Sequence, residues 1–333
     1  MKQITFGTFC IAIALSVVFP LEGARPEKER DDWGKITKAK PEFYAAGDVS
    51  NSHVQLTKEW YEIAASAWGN YGPLEFWIVG SDVEAARRMD KEYCRVRKSK
   101  DAGYDVSACA KRDYNFVKYA TEGNAGLNTQ RNEHNKWSGF IVTMASRNPG
   151  PHEEDYKTVT LHEYFHVYQH AHIFSRKHAE RESRTQTNPW WIEGGAEYMA
   201  QLLYSRQEGV REGYLNEKME RKLRALSDLE AGVSIRDIPY GERGHVGYSL
   251  GAWFVAYVIH KSDEHTYLVK FHKDLNKLGF EGSFLKHFGA SSDDLLKEFH
   301  EEFLKRSLPD LSLIHISEPT RPLYISYAVF SLK

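Results

Sequence analysis

The sequence predicts an α+β fold, with an N-terminal lobe built on a small mixed sheet and a mainly helical lobe after it. Three observations carry that reading. The apolar runs of strand length, Leu74-Glu75-Phe76-Trp77-Ile78-Val79-Gly80 and Gly139-Phe140-Ile141-Val142-Thr143-Met144, both precede the breaker Asn148-Pro149-Gly150-Pro151. Beyond Tyr156 the apolar residues recur instead at helical spacing. A chain of 333 residues, 41% apolar and 13% aromatic, can bury a sizeable core.

Charge excludes little but narrows the partners. Lys plus Arg number 44 and Asp plus Glu 46, so bulk electrostatics gives no reason to expect nucleic acid or an anionic membrane. The basic cluster from Arg95 to Lys100 is short and reads as solvated surface. Lys2, the apolar run Phe6 to Phe19 and the small pair Gly23-Ala24 read as a signal peptide over residues 1–24, and no other stretch approaches the roughly 18 apolar residues of a membrane span. A soluble protein secreted or otherwise outside the cytoplasm is expected. Of three cysteines, Cys10 leaves with the leader, and Cys94 and Cys109 are expected to pair, constraining the unfolded chain by about 3 kcal/mol. From Leu311 the chain reads LSLIHISEPTR and then LYISYAVFSLK, which resembles a translated sequencing-library adaptor; residues 311–333 are therefore excluded from the expected fold.

Taken in order, Glu27 to Glu42 is charged and carries Pro41, which predicts a loosely ordered entry. Val54 to Trp68 is helical by the spacing of Leu56, Trp60, Ile63 and Ala64, and Asn70-Tyr71-Gly72-Pro73 ends it. After the strand from Leu74, Ser81 can cap a helix running from Asp82 into the basic cluster. Asp101 to Asn135 lacks a clean period and reads as loops and short strands. The strand within Trp137 to Ala145 is placed to line a cleft and to pair a free edge with an extended peptide. A helix from about Tyr156 turns Val159, Leu161, Phe165 and Tyr168 inward, and the polar stretch Ser175 to Asn188 is a loop or flap. Pro189-Trp190-Trp191-Ile192 opens a second helix, and others are expected at Arg211 to Ser227, Gly247 to His260, Glu264 to Leu278 and Ser292 to Leu304. The resulting organisation is an α/β lobe over 25–155 and a helical lobe over 156–310.

The chemistry is concentrated in His162-Glu163-Tyr164-Phe165-His166. Residues four apart share a helix face, so His162 and His166 aim two imidazoles at one point, which is half a zinc site. Glu163 is placed to hold a water and take its proton. A third protein ligand is needed, with the fourth position left to water. His172 lies where the metzincin pattern HExxHxxGxxH has its third His, but Gln169 replaces the glycine and lets the helix run on, rotating His172 away. His170 keeps the face but sits roughly 12 Å along the axis from His162. Downstream, Glu193 and Glu197 stand four residues apart and share a helix face.

The stretch Trp191-Ile192-Glu193-Gly194-Gly195-Ala196-Glu197-Tyr198, together with the His-Glu pentad, resembles the gluzincins, the relatives of thermolysin and the zinc aminopeptidases. The resemblance extends over about Thr160 to Ala200 and points to the diffuse peptidase-MA-like set. It implies a zincin-like fold with a sheet edge strand along the cleft, Glu193 as third ligand on a helix packed against the first, and Glu197 accepting the ring N–H of His162. It also implies a donor to the transition-state oxyanion between Tyr240 and Tyr248, with Tyr248 first, then His245 and Tyr240. Gly194 and Gly195 cost about 1 kcal/mol each in a helix, which implies a close neighbour. One departure matters: where aminopeptidases carry a glutamate for the substrate amine, this chain reads Thr143-Met144-Ala145-Ser146-Arg147-Asn148. The expectation is a secreted metallopeptidase with one Zn2+, acting on a peptide or protein substrate as an endopeptidase. Its rivals are a metzincin using His172 and a non-catalytic extracellular zinc-binding module, against which the intact Glu163 weighs.

Overall fold

Two strands form where the apolar runs fall, and these two lie at the centre of the sheet. The computed structural model describes residues 32–111, 116–134, 137–147 and 155–304; the expected leader at 1–24 and the adaptor-like 311–333 lie outside them. Strands β1 (Glu42–Ala45), β2 (Leu74–Val79), β3 (Ala125–Gln130) and β4 (Gly139–Ala145) make one sheet in the order β1-β2-β4-β3. β1, β2 and β4 run parallel, with Phe76 opposite Val142, and β3 runs antiparallel to β4. Every residue of β2 and β4 is buried, as expected of strands covered on both faces.

This corrects the expectation for the second strand. β4 is central rather than free, and among the described residues the outer strands are β1 and β3, the latter inside the stretch whose aperiodic composition read as loops and short strands. Alternation splits the strand side chains between two cores. Phe76, Phe140, Val142 and Met144 join Trp60, Trp68, Leu161 and Phe165 on the inner face, whereas Trp77, Val79 and Ile141 join Met89, Tyr93 and Phe116 on the outer one.

The inner face is covered by α1 (Asn51–Trp68), capped by Ser50, and the outer face by α2 (Val83–Lys100), α3 (Val106–Lys111) and α4 (Phe116–Glu122). The cap of α2 is Asp82 rather than Ser81: its carboxylate accepts from the Glu84 and Ala85 N–H groups and places negative charge at the positive end of the helix. Cys94 and Cys109 form a disulfide between α2 and α3.

The second half is helical. α5 (Tyr156–Ala171) carries the pentad, α6 (His178–Thr185) lies inside the polar stretch expected as a flap, and α7 (Pro189–Ser205) starts with proline at its first turn. The helix expected over 211–227 is α8 (Tyr214–Leu223) followed by a 3-10 turn, Arg224–Asp228. α9 (Gly244–Lys261) is followed by a π-helical turn, Thr266–Phe271, then α10 (His272–Phe288) and α11 (Ser292–Glu298). α7 packs between α5 and α9. At its crossing with α9, a methyl group on Gly194 would overlap the Gly251 backbone, and one on Gly251 would overlap Trp190. Close helix approach is what the costly glycine provides. No helix among the described residues is long and apolar enough to cross a membrane.

Candidate metal centre

The site is made where two turns of α5 meet the first turn of α7. The Nε2 atoms of His162 and His166 lie 3.0 Å apart, and Glu193 Oε2 lies 3.2 Å from the first and 3.0 Å from the second. Three ligands at zinc bond lengths of about 2.0–2.1 Å in tetrahedral directions stand about 3.3 Å from one another, so the donor set matches that ion in type and spacing. These three residues are the group of potential ligands that comes together among the described residues.

Each ligand is held from behind. His162 Nδ1 lies 3.3 Å from Glu197 Oε1, and the other oxygen of Glu197 accepts from the Lys222 ammonium. His166 Nδ1 donates to Gln169 Oε1 at 2.8 Å, and Gln169 Nε2 donates to the Ile192 carbonyl at 2.9 Å. Glu193 Oε1 accepts from the Tyr240 hydroxyl at 2.8 Å, which leaves Oε2 facing the imidazoles. In both rings Nδ1 is engaged and Nε2 faces the common point, the arrangement a coordinating imidazole needs.

Electrostatics points the same way. Burial pushes the His162 imidazole down, yet hydrogen bonds to Glu193 and Glu197 outweigh it and hold the ring well above its ordinary value. His166 is raised likewise, its burial outweighed by the Glu193 charge. Burial pushes Glu193 up, but the two imidazoles hold its carboxyl well below the carboxylate range, and Lys222 does the same for Glu197. The carboxylates of Glu163, Glu193 and Glu197 face one ammonium, so with neutral imidazoles the cluster carries two uncompensated negative charges. A divalent cation would balance it. Glu163 is 6% exposed, its Oε2 has no hydrogen-bond partner among the described residues, and burial raises its pKa. A carboxylate so placed matches the needs of a general base.

The other expected residues are distributed around this point. Tyr248 lines the cleft beside His162, its ring nearly parallel to the imidazole with ring centroids 6.4 Å apart. Tyr240 is bound to the ligand carboxylate, while His245 stands half-exposed on the rim with Nε2 3.0 Å from Asp228. His172 stays out of the site: it ends α5, donates from Nδ1 to the Tyr168 carbonyl at 2.8 Å and packs against Tyr71 and His272. His170 lines the cleft, and burial holds it neutral with a pKa of about 3. The cleft encloses about 1120 Å³ and is bordered by Ala125, Gly126 and Leu127 of the edge strand. Two supports escaped sequence reasoning. Gln169 stands three residues from His166, a spacing that makes helix neighbours, so its signal was present. Lys222 reaches Glu197 from a different helix and carries no local signal. Compared with known proteins, the chain matches no family model, no curated protein and no solved structure.

Proposed function

We propose that this chain is a gluzincin-type zinc metallopeptidase, acting outside the cytoplasm as an endopeptidase. The observation that carries the reading is the buried, unpartnered Glu163 Oε2 beside a three-donor set, His162, His166 and Glu193. Those three residues would hold one Zn2+. Bound there, the ion supplies Lewis-acid polarisation of the scissile carbonyl and lowers the pKa of a water. Glu163, with its unpartnered Oε2, would accept a proton from the attacking water and return it to the departing amine. Tyr248, in the cleft lining with its ring parallel to that of His162, donates to the oxyanion as the carbonyl becomes tetrahedral, and His245, steadied by Asp228, flanks the same cleft.

Support for a peptide substrate comes from β3. It pairs with β4 on one side and, among the described residues, is the outermost strand on the other, so an extended peptide lying in the cleft beside Ala125, Gly126 and Leu127 can add to it through main-chain hydrogen bonds. The missing carboxylate near Ala145 argues against selection of a free amino terminus. A non-catalytic zinc-binding module fits less well, because a structural site is closed by four protein ligands and has no use for a base. The test is a broad peptide library exposed to zinc-loaded protein. Internal cleavage is expected, falling about 10²–10⁴-fold in Glu163→Gln with zinc content unchanged. A fully loaded wild-type protein that cuts nothing would favour the module.

A further inference from the structure

We propose that Gln169 is a positioning residue that couples the second ligand to the third, setting the tautomer of His166 and the phase of the helix that carries Glu193. The inference rests on the metal-centre reading above. It requires no titration of the ligands, only the donor and acceptor chemistry of one buried carboxamide.

The orientation of that carboxamide is fixed by its neighbours. A peptide carbonyl can only accept, so the end facing Ile192 O must be the NH2 group, and the end facing His166 must be the oxygen. The oxygen in turn accepts only from a protonated Nδ1. His166 therefore carries its proton at the back and presents Nε2 toward Glu193 Oε2, 3.0 Å away. The second bond lands on the carbonyl of Ile192, the residue immediately before Glu193, within the first turn of α7. One side chain thus fixes the ring of one ligand and the backbone that delivers another.

The pocket around Gln169 is built for it. The side chain is 4% exposed, and a methyl group on Gly195 would lie 3.0 Å from Gln169 Nε2 while overlapping the hydroxyl of the fully buried Tyr267. Glycine at 195 leaves the room, and the π-helical turn Thr266–Phe271 brings Tyr267 in as the far wall. Glutamine alone among side chains of this size offers an acceptor and a donor together at that reach. Glutamate keeps the acceptor and loses the donor; methionine fills the space and keeps neither.

Those differences define the experiment. Zinc dissociation constants are measured against a chromophoric chelator, alongside thermal unfolding of the metal-free proteins. Gln169→Met is expected to bind zinc about 10–100-fold more weakly. Gln169→Glu, with the acceptor for His166 restored, is expected to bind within about threefold of wild type while sharing the lowered melting temperature of the Met variant, because the bond to Ile192 is gone from both. A folded Met variant with wild-type zinc affinity would reduce Gln169 to packing and overturn the proposal. Should the Met variant not fold, nitrogen-detected NMR of zinc-loaded wild type decides: His166 coordinated through Nε2 with a proton on Nδ1 is expected, and coordination through Nδ1 overturns it. A wild-type protein that takes up no zinc removes the metal centre and this inference together, whereas a Met variant indifferent to zinc removes this inference alone. Failure to cleave peptides bears on neither.

Discussion

Glu75 and Glu193 are both carboxylates withdrawn from water, one on the outer side of the sheet and one on the α5 side, and the chain treats them in opposite ways. Glu75 is fully buried in β2, where Arg97 and Lys100 pair with it, Glu42 shares Lys100, and Trp77 Nε1 donates to it at 2.8 Å. Two carboxylates meet two cations. Arg97 is further sandwiched, its guanidinium 4.4 Å from the Trp137 ring centre and 5.0 Å from that of Tyr93. That cluster balances its charge, although Nε and Nη1 of Arg97 have no hydrogen-bond partner among the described residues. Around Glu193, three carboxylates meet the single ammonium of Lys222, and the two imidazoles are drawn toward protonation in compensation. The first cluster meets each carboxylate with a cation of its own, whereas the second has carboxylates in excess of ammonium where three potential ligands converge.

The difference can be broken experimentally from either side. The largest expected effect is on the balanced cluster: Arg97→Met leaves Glu75 buried without its main partner and should cost about 3–5 kcal/mol by chemical denaturation, with zinc affinity unchanged. Adding Glu75→Gln to it should recover much of the loss, since the uncompensated charge goes too. Next comes zinc itself. At 100 times its dissociation constant the ion should stabilise wild type by about 2.7 kcal/mol, and equally in the Arg97→Met background, because the two clusters share no residue. Smallest is Glu197→Gln, which weakens the hold on His162 and removes the carboxylate charge paired with Lys222; zinc affinity should fall about 10–100-fold, or about 1.4–2.7 kcal/mol. A denaturation curve for Glu197→Gln that shifted as far as that of Arg97→Met would erase the distinction between the clusters.

What could be read in the sequence was whatever chemistry is local. The pentad of α5 needs only a helix to bring His162 and His166 together, and Glu193 and Glu197 repeat that logic on α7. The long helices were likewise legible from spacing, and the disulfide from the two cysteines left once the leader is set aside. Pairing order was not: β4 reads as a strand, yet its place between β2 and β3 depends on partners dozens of residues away. Glu75 was visible as a lone charge in an apolar run, while Arg97 sat in a basic cluster that read as solvated surface. In the sequence Gln169 stands out only as the residue in place of the metzincin glycine, and what its side chain does emerges only once Ile192 lies against it. Tyr240, ranked last of three donors, was beyond ranking by sequence because the contact with Glu193 spans 47 residues.

The central claim is that His162, His166 and Glu193 hold one zinc ion while His172 does not. Metal content after zinc loading and dialysis tests it most directly, measured on wild type, Glu193→Ala and His172→Ala. One zinc per chain is expected in wild type and in His172→Ala, and none in Glu193→Ala. Zinc retained by Glu193→Ala and lost from His172→Ala would contradict the account.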